Sequence, residues 1–283
     1  MRQQGTIFLG KTVIKIDFPD PANEVIPGVQ WGSVDAFPSP AYWLYQVLAR
    51  RVEGNQINYK LGRDLKEEVA ACLLGGYGIP TAVGLTAYKR IKELGAFNRK
   101  QPPSESEFFA WLSEPLDVNG RSIRYRFSRQ KSKYLAAALT KLNSESPPTD
   151  SGKSLRNWLI TIPGIGFKTA SWIARNWMDA DDVAILDVHI QRAGLLAGFF
   201  KSNLTVNKNY IEMEEIFIRF SKSLGVRTSE LDAVIWLEMM SSPSTVHRIL
   251  KEEDSQKSLV KNQKLDGYSK KSHSNSNQIA LFV

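Results

Sequence analysis

The sequence contains a single cysteine, Cys72, among its 283 residues. A disulfide framework needs at least two cysteines and a cysteine zinc site needs several, so both are excluded. The sequence also has no run of 18 apolar residues, and its first fifteen residues hold no apolar core of the signal-peptide kind. These absences argue against a disulfide-stabilised secreted domain and a helical membrane protein. We therefore expect a cytoplasmic protein without a membrane partner.

Acidic residues are fewer than basic ones. Lysine and arginine outnumber aspartate and glutamate by 37 to 29, which gives a net charge of +8 and a pI near 9.4. This excess suits a polyanionic partner, although it also suits a basic protein that has none. Residues 121–133 hold six basic side chains in thirteen positions, a density that fits either a solvated surface or contact with a phosphate backbone. The candidate phosphate contacts there are Arg124, Arg126, Arg129 and Lys131.

Apolar periodicity predicts a mainly α-helical protein with two helical lobes and a short N-terminal β hairpin. The hairpin is predicted from the alternating, β-branched stretch 6–18, with Gly10 and Lys11 at its centre. The hairpin belongs to an N-terminal β and loop segment, 1–40. A helical lobe follows over 41–143, and a second helical lobe, which contains the turn described next, follows over 144–250. Residues 251–283 are polar and rich in lysine and serine, so a disordered tail is expected.

The second lobe contains a turn that cannot be helical. In Pro163-Gly164-Ile165-Gly166 the proline lacks an N–H, and both glycines favour backbone angles that side chains forbid. Apolar residues at helical spacing precede and follow this turn, which predicts a helical hairpin. The amides of Gly164 and Gly166, at the positive end of the second helix, are open to a phosphate oxygen. Such a hairpin is suited to holding a nucleic-acid backbone without reading its sequence.

Lys168 and Asp187 are the candidate reactive pair. Lys168 lies in the first turn of the second helix, where a positive charge is unfavourable and the amine is expected to lose its proton more easily. Only the neutral amine can attack carbon. The segment after this helix is long enough to run back, so Asp187 can return to the level of Lys168. Alternatively, Lys168 contacts a phosphate, and Asp187 is a helix N-cap, which it can be while also serving in catalysis.

The motifs PGIGFKTA and ILDVHIQR resemble the signature of the helix-hairpin-helix DNA glycosylase superfamily, and most closely its 8-oxoguanine DNA glycosylase branch. The resemblance implies that Lys168 attacks the deoxyribose C1′ and that Asp187 assists departure of the base. Monofunctional relatives lack this lysine, so the resemblance also implies AP lyase activity. Some members carry a four-cysteine iron–sulfur cluster, which Cys72 alone cannot hold.

The resemblance further implies a bound cation and a base pocket. Backbone carbonyls of Ile160, Ile162 and Ile165 are expected to bind K⁺ or Na⁺ beside a DNA phosphate, and no other cofactor is expected. Residues 231–236 look like a helix that helps to form the base pocket in the smaller 8-oxoguanine glycosylases. The pocket candidates are Asp232, Trp236 and Met240, together with the aromatic residues Trp31 and Trp43. Alternatively, any one of these side chains packs in the hydrophobic core and does not line the pocket.

The tail ends in Gln278-Ile279-Ala280-Leu281-Phe282-Val283, which resembles the bacterial motif that binds the replication sliding clamp. Gln278, Leu281 and Phe282 would dock into an apolar groove of that clamp. Alternatively, Leu281 and Phe282 pack back onto the protein, since short motifs often match by chance.

Together these features predict a monomeric base-excision-repair DNA glycosylase and AP lyase. It would remove an oxidised purine, 8-oxoguanine, from double-stranded DNA through a lysine Schiff base, and would be associated with the nucleoid. Residues 239–243 depart from the family pattern, which leaves open a glycosylase for another modified base. A helix-hairpin-helix protein that binds DNA without chemistry is the other alternative. Asp187 argues against it, because a carboxylate facing DNA repels phosphate.

Overall fold

The computed structural model describes residues 2–54, 60–76, 78–241, 248–249 and 251. Within these residues it contains ten α-helices and six short strands. The predicted mainly helical architecture with a short N-terminal β hairpin is confirmed.

The N-terminal hairpin pairs β1 (Gln3–Leu9) with β2 (Thr12–Phe18) in antiparallel register. Gly10 closes the turn with a φ of +59°, which suits a residue without a side chain. Ile7 and Phe18 are buried, while the neighbouring Phe8 and Val13 face outward, as strand alternation requires. The strands extend the predicted stretch 6–18 by three residues at its N-terminal end.

A longer connection leads to the first helix. It contains a small sheet of β3 (Glu24–Ile26) and β4 (Val29–Gln30), which the sequence analysis did not predict. Helix α1 (Pro40–Val52) then begins with proline in its first turn, and the Ser39 side chain accepts a hydrogen bond from the N–H of Tyr42. The Tyr45 hydroxyl donates to the carbonyl of Thr6 at 2.7 Å, which fastens the N-terminal hairpin to α1.

The next helices surround one almost fully buried helix. Asp64 caps α2 (Leu65–Leu74), whose residues from Glu67 onward are all buried. Helix α2 packs against α3 (Thr81–Glu93), α5 (Ser128–Ser144) and α7 (Phe167–Met178). Helix α4 (Glu105–Ser113) begins at a Ser104–Glu107 capping box. A hairpin of β5 (Leu116–Val118) and β6 (Arg121–Ile123), also unpredicted, connects α4 to α5.

The remaining helices are α6 (Gly152–Leu159), α8 (Val188–Leu196), α9 (Tyr210–Ser223) and α10 (Thr228–Ser241). Among the described residues, none of the helices is long and apolar enough to cross a membrane. The chain divides into two units after Trp236, and of the second unit the structure describes residues 237–241, 248–249 and 251. The second unit contains the last residues of α10, and the tail residues Gln278, Leu281 and Phe282 lie outside the described part of the chain.

Candidate active site

The turn between α6 and α7 is shaped by two glycines that meet different surroundings. Gly164 has a φ of +85°, and a Cβ atom there would lie 2.1 Å from the Tyr134 ring on α5. Both the backbone angle and the ring therefore exclude a side chain at Gly164. Gly166 is the N-cap of α7 and offers no side-chain cap, while a Cβ at Gly166 would meet nothing within 4 Å. The amide end of α7 is thus open to an anionic group.

Lys168 and Asp187 meet at this end of α7. The Lys168 Nζ lies 3.1 Å from Asp187 Oδ2, with the lysine side chain half exposed and the carboxylate only 10% exposed. The other carboxylate oxygen, Oδ1, accepts the N–H groups of His189 at 2.8 Å and Ile190 at 3.2 Å. Asp187 therefore caps α8 with one oxygen and faces the amine with the other. Lys168 and Asp187 are 19 positions apart in the sequence, and the loop after α7 brings them together, as its length allows.

The segment that leads to Asp187 is held by buried charged groups. The N–H of Ala184 donates to Glu214 Oε1 at 3.1 Å, and Glu214 also pairs with Arg156 at 3.0 Å. The N–H of Ile185 donates to Asp232 Oδ2 at 3.1 Å. Burial raises the pKa of Glu214 despite the arginine.

Asp232 is itself paired with an arginine. Arg175 Nη1 lies 2.5 Å from Asp232 Oδ1, and both side chains are buried. Burial raises the pKa of Asp232 to about 6, against the opposing effect of Arg175. As a base-pocket candidate Asp232 is therefore already engaged on both oxygens, one with Arg175 and one with the Ile185 amide.

The other pocket candidates differ in how exposed their side chains are. Trp43 is fully buried, with its ring edge-on to Phe37 and Tyr42, and Trp31 is 9% exposed. Contact between a base and Trp43 would require the residues that cover it to move. Trp236 is 40% exposed, and Met240, in the second unit, is also exposed.

The basic stretch and the hairpin turn border one cavity of about 200 Å³. Its lining includes Gly75, Gly76, Phe127, Lys131, Gly164 and Thr169, the last adjacent to Lys168. The Lys131 Nζ donates to the carbonyl of Gly75 at 3.4 Å, and burial lowers the pKa of Lys131. Arg124, Arg126 and Arg129 are exposed, with the guanidinium groups of the last two over the rings of Phe127 and Phe109.

The predicted cation ligands lie at the end of α6 and in the turn. Ile160 is the C-cap of α6, and the carbonyl of Ile162 accepts the N–H of Ile165 at 3.1 Å. A carbonyl oxygen has two lone pairs, so this hydrogen bond leaves Ile162 able to accept a cation. In the part of the chain that the structure describes, no cluster of three His, Cys, Asp or Glu side chains could hold a metal ion.

The residues described above lie largely within a stretch that is similar to known proteins. The family model for 8-oxoguanine DNA glycosylase matches residues 56–226, a stretch that contains the hairpin, Lys168 and Asp187. The chain belongs to the 8-oxoguanine DNA glycosylase family. Within this family, the 8-oxoguanine DNA glycosylase/AP lyase of Fusobacterium nucleatum is 30% identical over 188 residues, which cover 62% of this chain and 79% of that protein.

Other members of the 8-oxoguanine DNA glycosylase family match over shorter stretches. The 8-oxoguanine DNA glycosylase/AP lyase of Methanocaldococcus jannaschii is 30% identical over 134 residues, 46% of this chain, and the match spans only 64% of that protein. The crystal structure of the 8-oxoguanine DNA glycosylase of Thermotoga maritima superposes with a TM-score of 0.50 at 20% identity, covering 70% of this chain and 95% of that one. This structure supports the fold alone.

The site of this family member contains residues that the sequence analysis did not identify. Tyr134, Arg156 and Glu214 hold the turn and the Asp187 segment, yet they are separated from their partners by as many as 58 residues. No local pattern in the sequence connects side chains this far apart. Apolar periodicity can place such residues on helices, but it does not show which of them pair.

Proposed function

We propose that this chain is a bifunctional DNA glycosylase and AP lyase that removes 8-oxoguanine from double-stranded DNA through a lysine Schiff base. The observation that carries the proposal is the 3.1 Å contact between Lys168 Nζ and Asp187 Oδ2 at the uncapped end of α7. An amine for attack and a carboxylate for charge stabilisation then meet at one sugar. Membership of the 8-oxoguanine DNA glycosylase family supports the same chemistry.

DNA would be held by groups around the hairpin. The amides of Gly164 and Gly166 would bind a phosphate next to the lesion, and Arg124, Arg126, Arg129 and Lys131 would contact the neighbouring backbone. The carbonyl oxygens of Ile160, Ile162 and Ile165 would provide hard-oxygen donors of the kind that suits K⁺ or Na⁺, and the cation would supply positive charge near that phosphate. A base inside a duplex is out of reach, so the damaged nucleotide would be extruded toward Lys168.

Chemistry would begin at C1′ of the extruded nucleotide. The neutral Lys168 amine forms a bond to C1′ as the bond from C1′ to the base breaks, and the departing base keeps that electron pair and takes up a proton. Asp187 stabilises the positive charge that develops on the sugar. The bond from C1′ to the ring oxygen then breaks, the ring oxygen takes the proton that the lysine nitrogen loses, and a protonated Schiff base between Lys168 and C1′ remains. Loss of a C2′ proton eliminates the 3′ phosphate and nicks the strand.

The proposal is tested by incubating the protein with duplexes that each contain one lesion, under single-turnover conditions. We expect release of 8-oxoguanine and a strand nick at that position, with undamaged duplex left intact. Release of a different modified base only would keep the chemistry and replace the substrate. Binding to every duplex without base release would contradict the proposal and leave a protein that only binds DNA.

We also propose that the C-terminal residues bind the sliding clamp. The support is the sequence of residues 278–283 alone, since these lie outside the described residues. A clamp-coated resin should retain the full chain and lose the variant in which Leu281 and Phe282 are both alanine. Equal retention of the two proteins would contradict this part of the proposal.

A DNA substrate would place the protein at the nucleoid. One chain holds both reactive groups, so a monomer suffices for the proposed reaction.

A further inference from the structure

Tyr210, the first residue of α9, holds the segment that ends in Asp187. Its hydroxyl accepts the N–H of Leu186 at 3.2 Å and donates to the carbonyl of Ala184 at 2.8 Å. Tyr210 is 6% exposed, so these bonds are shielded from water. Leu186 is the residue directly before Asp187. The Tyr210 hydroxyl therefore binds the backbone one position before the residue that carries the carboxylate.

The same side chain supports the other half of the pair. The Tyr210 ring stacks on the Phe167 ring, with 5.3 Å between centroids and 17° between the planes. Phe167 is the first residue of α7 and directly precedes Lys168. The Tyr210 side chain therefore contacts the residue before Lys168 through its ring and the residue before Asp187 through its hydroxyl.

Glu214 and Asp232 hold the same segment differently. They accept the N–H groups of Ala184 and Ile185, and each is neutralised by a buried arginine. Their contacts therefore hold the backbone two and three positions before Asp187. The contact made by Tyr210 lies closer to Asp187 along the chain. It meets α7 at Phe167, directly before Lys168, whereas Glu214 and Asp232 meet α7 further on, at Ser171 and Arg175.

We propose that Tyr210 is a positioning residue that sets the separation between Lys168 and Asp187. This role rests on the proposed function of those two residues. The hydroxyl fixes the carboxylate side and the ring fixes the amine side, so the two halves of the contact can be removed separately. Without the hydroxyl, the buried N–H of Leu186 has no partner from Tyr210, and the segment is free to shift away from the sugar.

The experiment uses the full chain and measures two reactions for each variant. Single-turnover release of 8-oxoguanine from a duplex needs both Lys168 and Asp187. Borohydride trapping on a duplex with a preformed abasic site needs the amine, because the base has already left. Tyr210→Phe keeps the ring and removes the hydroxyl. It should lower base release roughly tenfold, since small misplacements of reacting groups are costly, and leave trapping nearly unchanged.

Phe167→Leu is the complementary variant, because it removes the ring contact and keeps the hydroxyl. It should lower trapping as well as base release. Tyr88→Phe is the matched control: Tyr88 is also buried, at 8% exposure, and its hydroxyl donates to Glu67 at 2.9 Å, away from the reactive pair. This control should leave both reactions at the wild-type rate.

Three results would overturn the role of Tyr210. Unchanged base release in Tyr210→Phe would show that the hydroxyl positions nothing. A fall in both reactions of Tyr210→Phe by the same factor would show a general loss of folded protein in that variant. Wild-type protein that neither releases the base nor traps on the abasic site would overturn the proposed function itself, and with it the pair that Tyr210 would position. Failure of the proposed function would therefore be seen in the wild-type protein, whereas failure of the Tyr210 role would be seen only in the variants.

Discussion

Asp187 performs two tasks because its two oxygens face different groups. Oδ1 accepts two backbone N–H groups at the start of α8, and Oδ2 lies 3.1 Å from the Lys168 amine. A capping oxygen is a structural requirement, whereas the negative charge beside the amine is a requirement of the proposed chemistry. The two requirements can be separated, since asparagine caps a helix about as well as aspartate does.

Asp187→Asn should therefore keep the fold and lose the reaction. The amide oxygen can still cap α8, while the charge that would stabilise the sugar is gone. We expect single-turnover base release to fall roughly 10²- to 10³-fold, with DNA affinity unchanged or improved. Asp64→Asn is the control, because Asp64 caps α2 through the N–H of Glu67 at 2.8 Å. Equal base release in Asp187→Asn and wild type would remove Asp187 from the mechanism.

The sequence indicated some of these residues and not others. Lys168 and Asp187 could be selected because a turn that cannot be helical fixes where α7 begins, and chain length then limits where Asp187 can lie. Asp232 was selected from its helix, but its pairing with Arg175 across 57 residues had no local signal. Trp43 could not be assigned to core or surface, since an apolar stripe on a helix does not say what covers it.

At the scale of elements, the hairpin depends on two glycines with opposite demands. Gly164 needs its positive φ and has no room for a side chain beside Tyr134, whereas Gly166 has a φ of −95° and open space. The first glycine therefore serves the shape of the turn, and the second keeps the amide end of α7 accessible.

Gly164→Ala should destabilise the protein more than Gly166→Ala does. The first change combines an unfavourable backbone angle with a clash against a packed ring, which together cost about 2–4 kcal/mol. The second change meets neither problem. Urea unfolding of both variants measures the difference in the free energy of unfolding. Equal losses in the two variants would contradict the packing of Tyr134 on Gly164.

Helix ends carry clearer signals in the sequence than the short strands do. Asp64, Ser104 and the Pro-Gly turn mark helix boundaries through caps and missing donors, and these signals are local. The β3–β4 and β5–β6 pairs contain strands of two or three residues, too short for alternation to be recognised. The β5–β6 pair is closed by a local turn, because Asn119 and Gly120 between the strands both have positive φ.

At the scale of the whole molecule, buried carboxylates connect one helix to another. Glu67 on α2 accepts hydrogen bonds from Lys92 at 2.8 Å and Tyr88 at 2.9 Å, both on α3. Glu68, also on α2, accepts from the Asn176 amide of α7 at 2.8 Å. Mainly helical architecture follows from periodicity in the sequence, but these connections between helices do not, because they depend on the completed packing.

Glu67 should make stability depend on pH. Burial alone would raise its pKa, but the hydrogen bonds from Lys92, the Arg63 amide and Tyr88 outweigh burial and lower the pKa from 4.5 to about 2. A carboxyl with a lowered pKa in the folded state stabilises it above the unfolded pKa, by roughly 3 kcal/mol here. This contribution should be lost as the pH falls from about 5 toward 2.

Urea unfolding at several pH values in this window measures that loss. Glu67→Gln should be less stable than wild type at pH 7 and should show a shallower decline in the free energy of unfolding on acidification. Glu93→Gln, an exposed change on the neighbouring helix α3, is the control and should follow the wild-type curve. A decline of equal slope in Glu67→Gln and wild type would contradict this role of Glu67.

Borohydride trapping is the most direct measurement of whether the hairpin amine is the nucleophile. Wild-type protein incubated with a lesion-containing duplex and borohydride should yield a covalent protein–DNA adduct, and Lys168→Gln should yield none while still binding the duplex. Lys153→Gln is the matched control, because Lys153 occupies the second position of α6 as Lys168 does in α7. It should trap like the wild type. Undiminished adduct formation by Lys168→Gln would contradict the mechanism.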